Sequence, residues 1–149
     1  MFPELVTDLL RNGYKVSFSA PGHSMYPTIL ANETLVVEPV EPLDVHKGDI
    51  VLYRSNGNLI AHRVKGVVRD GKTNEYSTLV KSLFFILRGD AARTPDEPVT
   101  SGQVLGKVVS VERNGNIINP YGLRHKLASR VHRWTARLKR HLLFSSNHQ

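Results

Sequence analysis

A chain of 149 residues with 40% hydrophobic and 22% charged residues has the composition of one ordinary globular domain, which excludes a wholly disordered or fibrous protein. It contains no cysteine, so disulfides, thiol nucleophiles and Cys-based zinc sites are excluded together. The net charge of +7 is unevenly placed: residues 1–121 hold thirteen Lys/Arg and thirteen Asp/Glu, whereas residues 122–149 hold seven Lys/Arg and no acid.

The first predicted element is a helix over residues 3–12. Pro3 suits the first turn, Leu5, Val6, Leu9 and Leu10 form a helical stripe, and Gly13 ends it. Glu4 and Asp8 inside this stretch, with no basic region before them, do not fit a secretory leader. No run reaches the roughly 18–20 apolar residues that cross a membrane as a helix, and the longest compact one, Leu83–Leu87, is strand-sized. The expectation is a cytoplasmic protein.

From about Tyr14 to Pro120 the pattern changes to short segments rich in β-branched, aromatic and aliphatic residues. Thr34–Val37, Asp49–Tyr53, Leu59–Val68, Leu83–Leu87 and Gln103–Val111 are predicted strands. Turn chemistry separates them at Ser55-Asn56-Gly57-Asn58, Asp70-Gly71 and Asn114-Gly115-Asn116. Many short strands with hairpin turns predict a mainly β domain over residues 1–121, a folded antiparallel sheet or barrel.

Residues 122–149 read as a separate basic tail. Leu123, Leu127, Val131, Trp134, Leu138 and Leu142 fall on one face of a helix over about 122–143, with Arg, Lys and His around the rest. Such a helix can pack on the body, lie peripherally on an anionic membrane surface, or bind nucleic acid through charge. No base-reading motif accompanies it, which disfavours nucleic acid. His125, His132 and His141 lie among cations, and no histidine pairs with carboxylates at ligand spacing, so neither a metal nor another cofactor is expected.

Four islands carry chemistry. Ser24 lies in Pro21-Gly22-His23-Ser24-Met25-Tyr26-Pro27-Thr28, between a glycine-containing turn and a proline. Lys47-Gly48-Asp49-Ile50-Val51-Leu52-Tyr53 is a turn entering a strand, and Leu59-Ile60-Ala61-His62-Arg63-Val64 sets a polar pair in an apolar strand. Ile86-Leu87-Arg88-Gly89-Asp90 continues to Asp96. Alone, such a serine most often satisfies turn hydrogen bonds, and such a histidine most often makes a structural one.

In order and spacing, over about Ser19–Val111, these islands resemble the signal peptidase I family, whose catalytic fold is shared with the LexA-type autopeptidases. Ser24-Met25-Tyr26-Pro27-Thr28 is similar to the family's Ser-Met-x-Pro-Thr box, Gly48–Val51 to its Gly-Asp-Ile-Val strand, Gly89-Asp90 to its Gly-Asp turn, and Gly106-Lys107-Val108-Val109 to its closing strand. Ile60-Ala61-His62-Arg63-Val64 resembles the His-Arg-Val segment of the archaeal and endoplasmic-reticulum branch, not the lysine segment of the bacterial one. The resemblance implies Ser24 as nucleophile and His62 as general base. Asp96, six residues beyond Asp90, matches the branch's orienting aspartate, and Asp90 matches a structural aspartate that is the alternative for the same role. Many members carry a small hydroxyl residue where this chain has Gly22. Gly22, His23 and Met25 are therefore the candidates on the substrate and oxyanion side, with backbone donors or His23 replacing the hydroxyl.

The residue types suit the reaction. A serine hydroxyl is a poor nucleophile until a base within hydrogen-bond reach accepts its proton. Histidine as a type accepts and returns protons near neutral pH, and a carboxylate on its other nitrogen fixes the tautomer. The expected function is a serine endopeptidase acting on a peptide or protein precursor. The alternatives are a LexA-like self-cleaving regulator, disfavoured because no DNA-binding region precedes the body and the base is not lysine, and a non-catalytic peptide-binding module of the same fold.

Overall fold

The computed structural model describes residues 1–70 and 82–122. Apart from Gly122 and Asp70 themselves, the predicted tail helix over 122–143 and the Asp70-Gly71 turn lie outside the described residues. The elements run α1 (Phe2–Arg11), β1 (Val16–Ala20), β2 (Glu33–Pro39), β3 (Ile50–Ser55), β4 (Asn58–Asp70), β5 (Ser82–Arg88), β6 (Val99–Thr100), β7 (Val104–Arg113) and β8 (Asn116–Ile118), with two short 3-10 turns at Pro42–Asp44 and Ser101–Gln103. The protein is mainly β, as its pattern predicts. Strands β1, β6 and β8 add to the predicted set.

The strands form one eight-stranded sheet in the order β1-β2-β7-β3-β4-β5-β6, with β8 beside β7, and every pair is antiparallel. No ladder joins β1 to β6 among the described residues, so of the two predicted forms the sheet is the one observed. Two of the predicted turns close hairpins: Asn56-Gly57 between β3 and β4, and Asn114-Gly115 between β7 and β8. All four of these residues have positive φ, the conformation that a two-residue hairpin needs and that Asn-Gly tolerates best.

Strand β3 explains where the cores sit. Its run Ile50-Val51-Leu52-Tyr53 is apolar without interruption, and all four residues are buried. A strand covered on both faces requires such a run. Ile50 and Leu52 join a cluster with Val6 and Leu10 of α1, Met25, Ile29, Leu35, Val37 and Val108. Val51 and Tyr53 point the other way into a second cluster with Val64, Phe85, Leu87 and Val99. Helix α1 covers part of the first cluster, and its Thr7 hydroxyl is satisfied by Pro3 O at 2.7 Å.

Strand β7 joins the two halves of the sheet by pairing with β2 on one side and β3 on the other. Gly106 is where these neighbours converge, opposite Pro39 and Leu52. A Cβ there would lie 2.6 Å from Glu38 O and 2.8 Å from Val37 Cγ1, so only a glycine allows the close approach. Gly106→Ala forces backbone to move and is expected to destabilise the protein by about 1–3 kcal/mol in urea unfolding. Gly102→Ala, whose added Cβ would meet nothing within 4 Å, is the control and stays within about 0.5 kcal/mol of the parent.

Candidate active site

Ser24 sits on the loop between β1 and β2. The loop is pinned from below by Met25 and Ile29, 4% and 3% exposed in the first core cluster, and its turns close through Tyr26 N–H to His23 O and Ile29 N–H to Met25 O. Ser24 itself is exposed. A buried neighbour on a closed turn thus holds an exposed serine in place.

His62 comes from the middle of β4, opposite Val51 of β3, and is 8% exposed. Its Nε2 lies 2.8 Å from Ser24 Oγ and its Nδ1 lies 2.6 Å from Asp96 Oδ2. A carboxylate only accepts hydrogen bonds, so Nδ1 carries the proton and Nε2 is left with the lone pair that receives the serine O–H. The three groups form a continuous line from an exposed serine to a carboxylate.

Asp96 is carried by the loop between β5 and β6, whose backbone is tied back by Asp96 N–H to Leu87 O at 2.8 Å. Its Oδ2 also accepts the Tyr53 hydroxyl at 3.1 Å. Tyr53 is 2% exposed, its ring centroid is 6.2 Å from that of His62, and burial together with the Asp96 charge pushes its phenol well above the ordinary tyrosine value. The phenol therefore stays protonated and donates.

Asp90 occupies a different place. It is 4% exposed and receives two hydrogen bonds from Arg63, Nε to Oδ1 at 2.9 Å and Nη2 to Oδ2 at 2.7 Å, with a third from the Thr28 hydroxyl at 2.6 Å. Arg63 also donates to Gly48 O at 3.0 Å. Burial acts to raise the Asp90 carboxyl, but the hydrogen bonds from Arg63 and Thr28 and the charges of Arg63 and Lys65 outweigh it and hold the group below the ordinary carboxylate value. Of the two candidate orienting aspartates, Asp96 is the one beside His62. Asp90 is bound up in a structural ion pair.

Gly89 explains the glycine of the Gly-Asp turn. A Cβ at this residue would lie 2.5 Å from Ser24 O and 3.1 Å from both His62 Nε2 and Ser24 Cβ. The end of β5 therefore packs directly against the serine and histidine, and Ala91 N–H donates to Ser24 O at 2.9 Å. At Gly22 the surroundings are open, with nothing within 4 Å of an added Cβ, and His23 is exposed. The Met25 side chain is buried in the first core cluster, so its backbone is the part that faces the Ser24 turn.

Sequence reasoning did not assign roles to Tyr53, Arg63 or Thr28. Tyr53 could have been found, because a tyrosine in a strand buried on both faces needs a partner for its hydroxyl. Arg63, next to His62, needed a buried acid for the same kind of reason. Among the described residues, no three His, Asp or Glu side chains are grouped to hold a metal ion, and no helix is long and apolar enough to cross a membrane. Set against family models and against curated proteins, the sequence matches none.

Removing one partner of the Asp90–Arg63 pair leaves an uncompensated buried charge, so Asp90→Asn is expected to cost about 3–5 kcal/mol in stability at neutral pH. The pH dependence follows from the lowered carboxyl. A group whose folded pKa lies below its unfolded value of about 3.9 contributes stability above that value and loses it as pH falls through the folded one. The stability gap between parent and Asp90→Asn, followed by urea unfolding, should be complete above about pH 5 and close progressively below about pH 4.

Proposed function

We propose that this protein is a serine endopeptidase of the signal-peptidase type, with a LexA-like catalytic fold, that cleaves a peptide or protein precursor. The observation that carries the reading is the continuous Ser24 Oγ···His62 Nε2 and His62 Nδ1···Asp96 Oδ2 line, at 2.8 and 2.6 Å, ending on an exposed serine. Ordinary structural serines and histidines satisfy their hydrogen bonds without assembling this order of donor, base and carboxylate. The resemblance of the Ser24, Gly48–Val51, His62 and Gly89-Asp90 boxes to the signal peptidase I family supports the same reading from the sequence.

In this mechanism His62 Nε2 takes the Ser24 proton as Oγ bonds to the scissile carbonyl carbon. The carbonyl π pair moves to oxygen, and the oxyanion is met by backbone N–H groups of the Ser24 turn, since Gly22 offers no side-chain donor. The imidazolium, held by Asp96, returns its proton to the leaving amine as the C–N bond breaks. Water then attacks the acyl-serine with His62 again as base, releasing the acid and restoring the hydroxyl. An extended substrate with small side chains near the cut is what the resemblance implies.

The reading is tested with a serine-directed phosphonate probe and full-length protein. Wild type should be labelled at a single serine, Ser24→Ala should not be labelled, and Asp96→Asn should be labelled more slowly by on the order of 10⁴-fold. Equal labelling of wild type and Ser24→Ala, or no labelling of wild type between about pH 6 and 9, would leave the non-catalytic binding module as the better account.

A further inference from the structure

The two aspartates near His62 are held in opposite ways. Asp90 is locked by a guanidinium, whereas Asp96 is met by a neutral hydroxyl. This difference matters for a carboxylate that has to act on a histidine. A cationic partner cancels the negative charge that would stabilise an imidazolium, while a neutral donor orients the oxygen and leaves the charge available.

We propose that Tyr53 is a positioning residue for the reaction, its hydroxyl holding Asp96 Oδ2 against His62 Nδ1. The inference rests on the peptidase reading of Ser24 and His62. Both hydrogen bonds converge on one atom: Asp96 Oδ2 accepts His62 Nδ1–H at 2.6 Å and Tyr53 O–H at 3.1 Å. An aspartate carboxyl turns easily about its last torsion, and with one donor alone it would be fixed at a single point. Its backbone is tied to β5 by Asp96 N–H to Leu87 O at 2.8 Å, but its loop neighbours Thr94, Pro95, Glu97 and Pro98 are exposed, so the hydrogen bonds to Oδ2 are what set the rotation of the carboxyl. The second donor is of the opposite kind. Tyr53 is fixed in β3, two residues along from the position that faces His62, and its ring is packed in the second core cluster. A rigid strand thus fixes the carboxylate that a surface loop carries.

A purely structural role would place the hydroxyl bond in the service of the loop, with no effect on the histidine. Tyr53→Phe keeps the ring and removes only the donor. Three proteins are compared with wild type: Tyr53→Phe, Asp96→Asn and the double variant, each checked for an unchanged unfolding midpoint. At saturating phosphonate probe, Tyr53→Phe should lower the limiting rate of Ser24 labelling about tenfold with the half-saturating probe concentration unchanged. In the Asp96→Asn background the same change should have little further effect, because the atom it positions has been replaced. The His62 Nδ1–H proton resonance, read in a Ser24→Ala background where no turnover is possible, should exchange faster with water when Tyr53 is Phe. An unchanged labelling rate with an unchanged resonance overturns the proposal, as does a tenfold loss that multiplies fully with Asp96→Asn. Should wild type fail to react with the probe, the peptidase reading falls, and the resonance alone then decides whether Tyr53 positions Asp96. Should Tyr53→Phe fold poorly, Tyr53→Met, which also removes the donor and is no larger than the side chain it replaces, takes its part, and an unchanged labelling rate with an unchanged resonance in it overturns the proposal.

Discussion

The buried pair of Arg63 and Asp90 is the interaction on which the site's geometry depends. Arg63 follows His62 on β4, Asp90 follows Gly89 at the end of β5, Thr28 belongs to the loop that carries Ser24, and Gly48 lies in the turn that starts β3. One guanidinium–carboxylate contact therefore joins four separate stretches of backbone, three of them one to four residues from a group in the site. With 12% and 4% of their side chains exposed, the two charges cannot trade each other for water. The pair ties together the stretches that carry Ser24, His62 and Gly89, with none of its own hydrogen bonds made to the Ser24 hydroxyl or the His62 ring.

In the proposed peptidase the two aspartates have different tasks. A carboxylate strong enough as an anchor needs a cation and several donors, as Asp90 has. A carboxylate useful to an imidazole needs its charge free, as Asp96 has it under a neutral phenol. Placing both on the short stretch between β5 and β6 lets the anchor stand next to the group it serves. The close packing of Gly89 on Ser24 and His62 sets the position at which that stretch begins.

Much of the fold is legible in the sequence because its strands carry simple patterns. β3, β4, β5 and β7 were predictable from apolar runs and Asn-Gly turns that have local physical causes. β1 was harder: Val16-Ser17-Phe18-Ser19-Ala20 alternates, but the small polar residues weaken its signal, and it is secured by pairing with β2 at the sheet edge. β6 is two residues long and exists through its ladder with β5, so no local pattern marks it. In the site, Ser24 and His62 could be singled out through their surrounding boxes, whereas the choice between Asp96 and Asp90 could not be made from the chain alone. That choice depends on which carboxylate Arg63 claims, and the hydroxyl of Tyr53 meets its partner 43 residues away in sequence. Contacts of this range are decided by register, and register is a property of the whole sheet.

The place of β7 in the sheet has a consequence for the time at which the site comes into being. The hairpin of β1 and β2 brings Ser24, that of β3 and β4 brings His62, and among the described residues the only strand that pairs with both β2 and β3 is β7, the last long strand described. A chain emerging from the ribosome therefore presents Ser24 and His62 before it has the strand that pairs with both of their hairpins, while Asp96 precedes that strand by only a short stretch. In the proposed peptidase, completion of the sheet would therefore act as a late step in assembling the site.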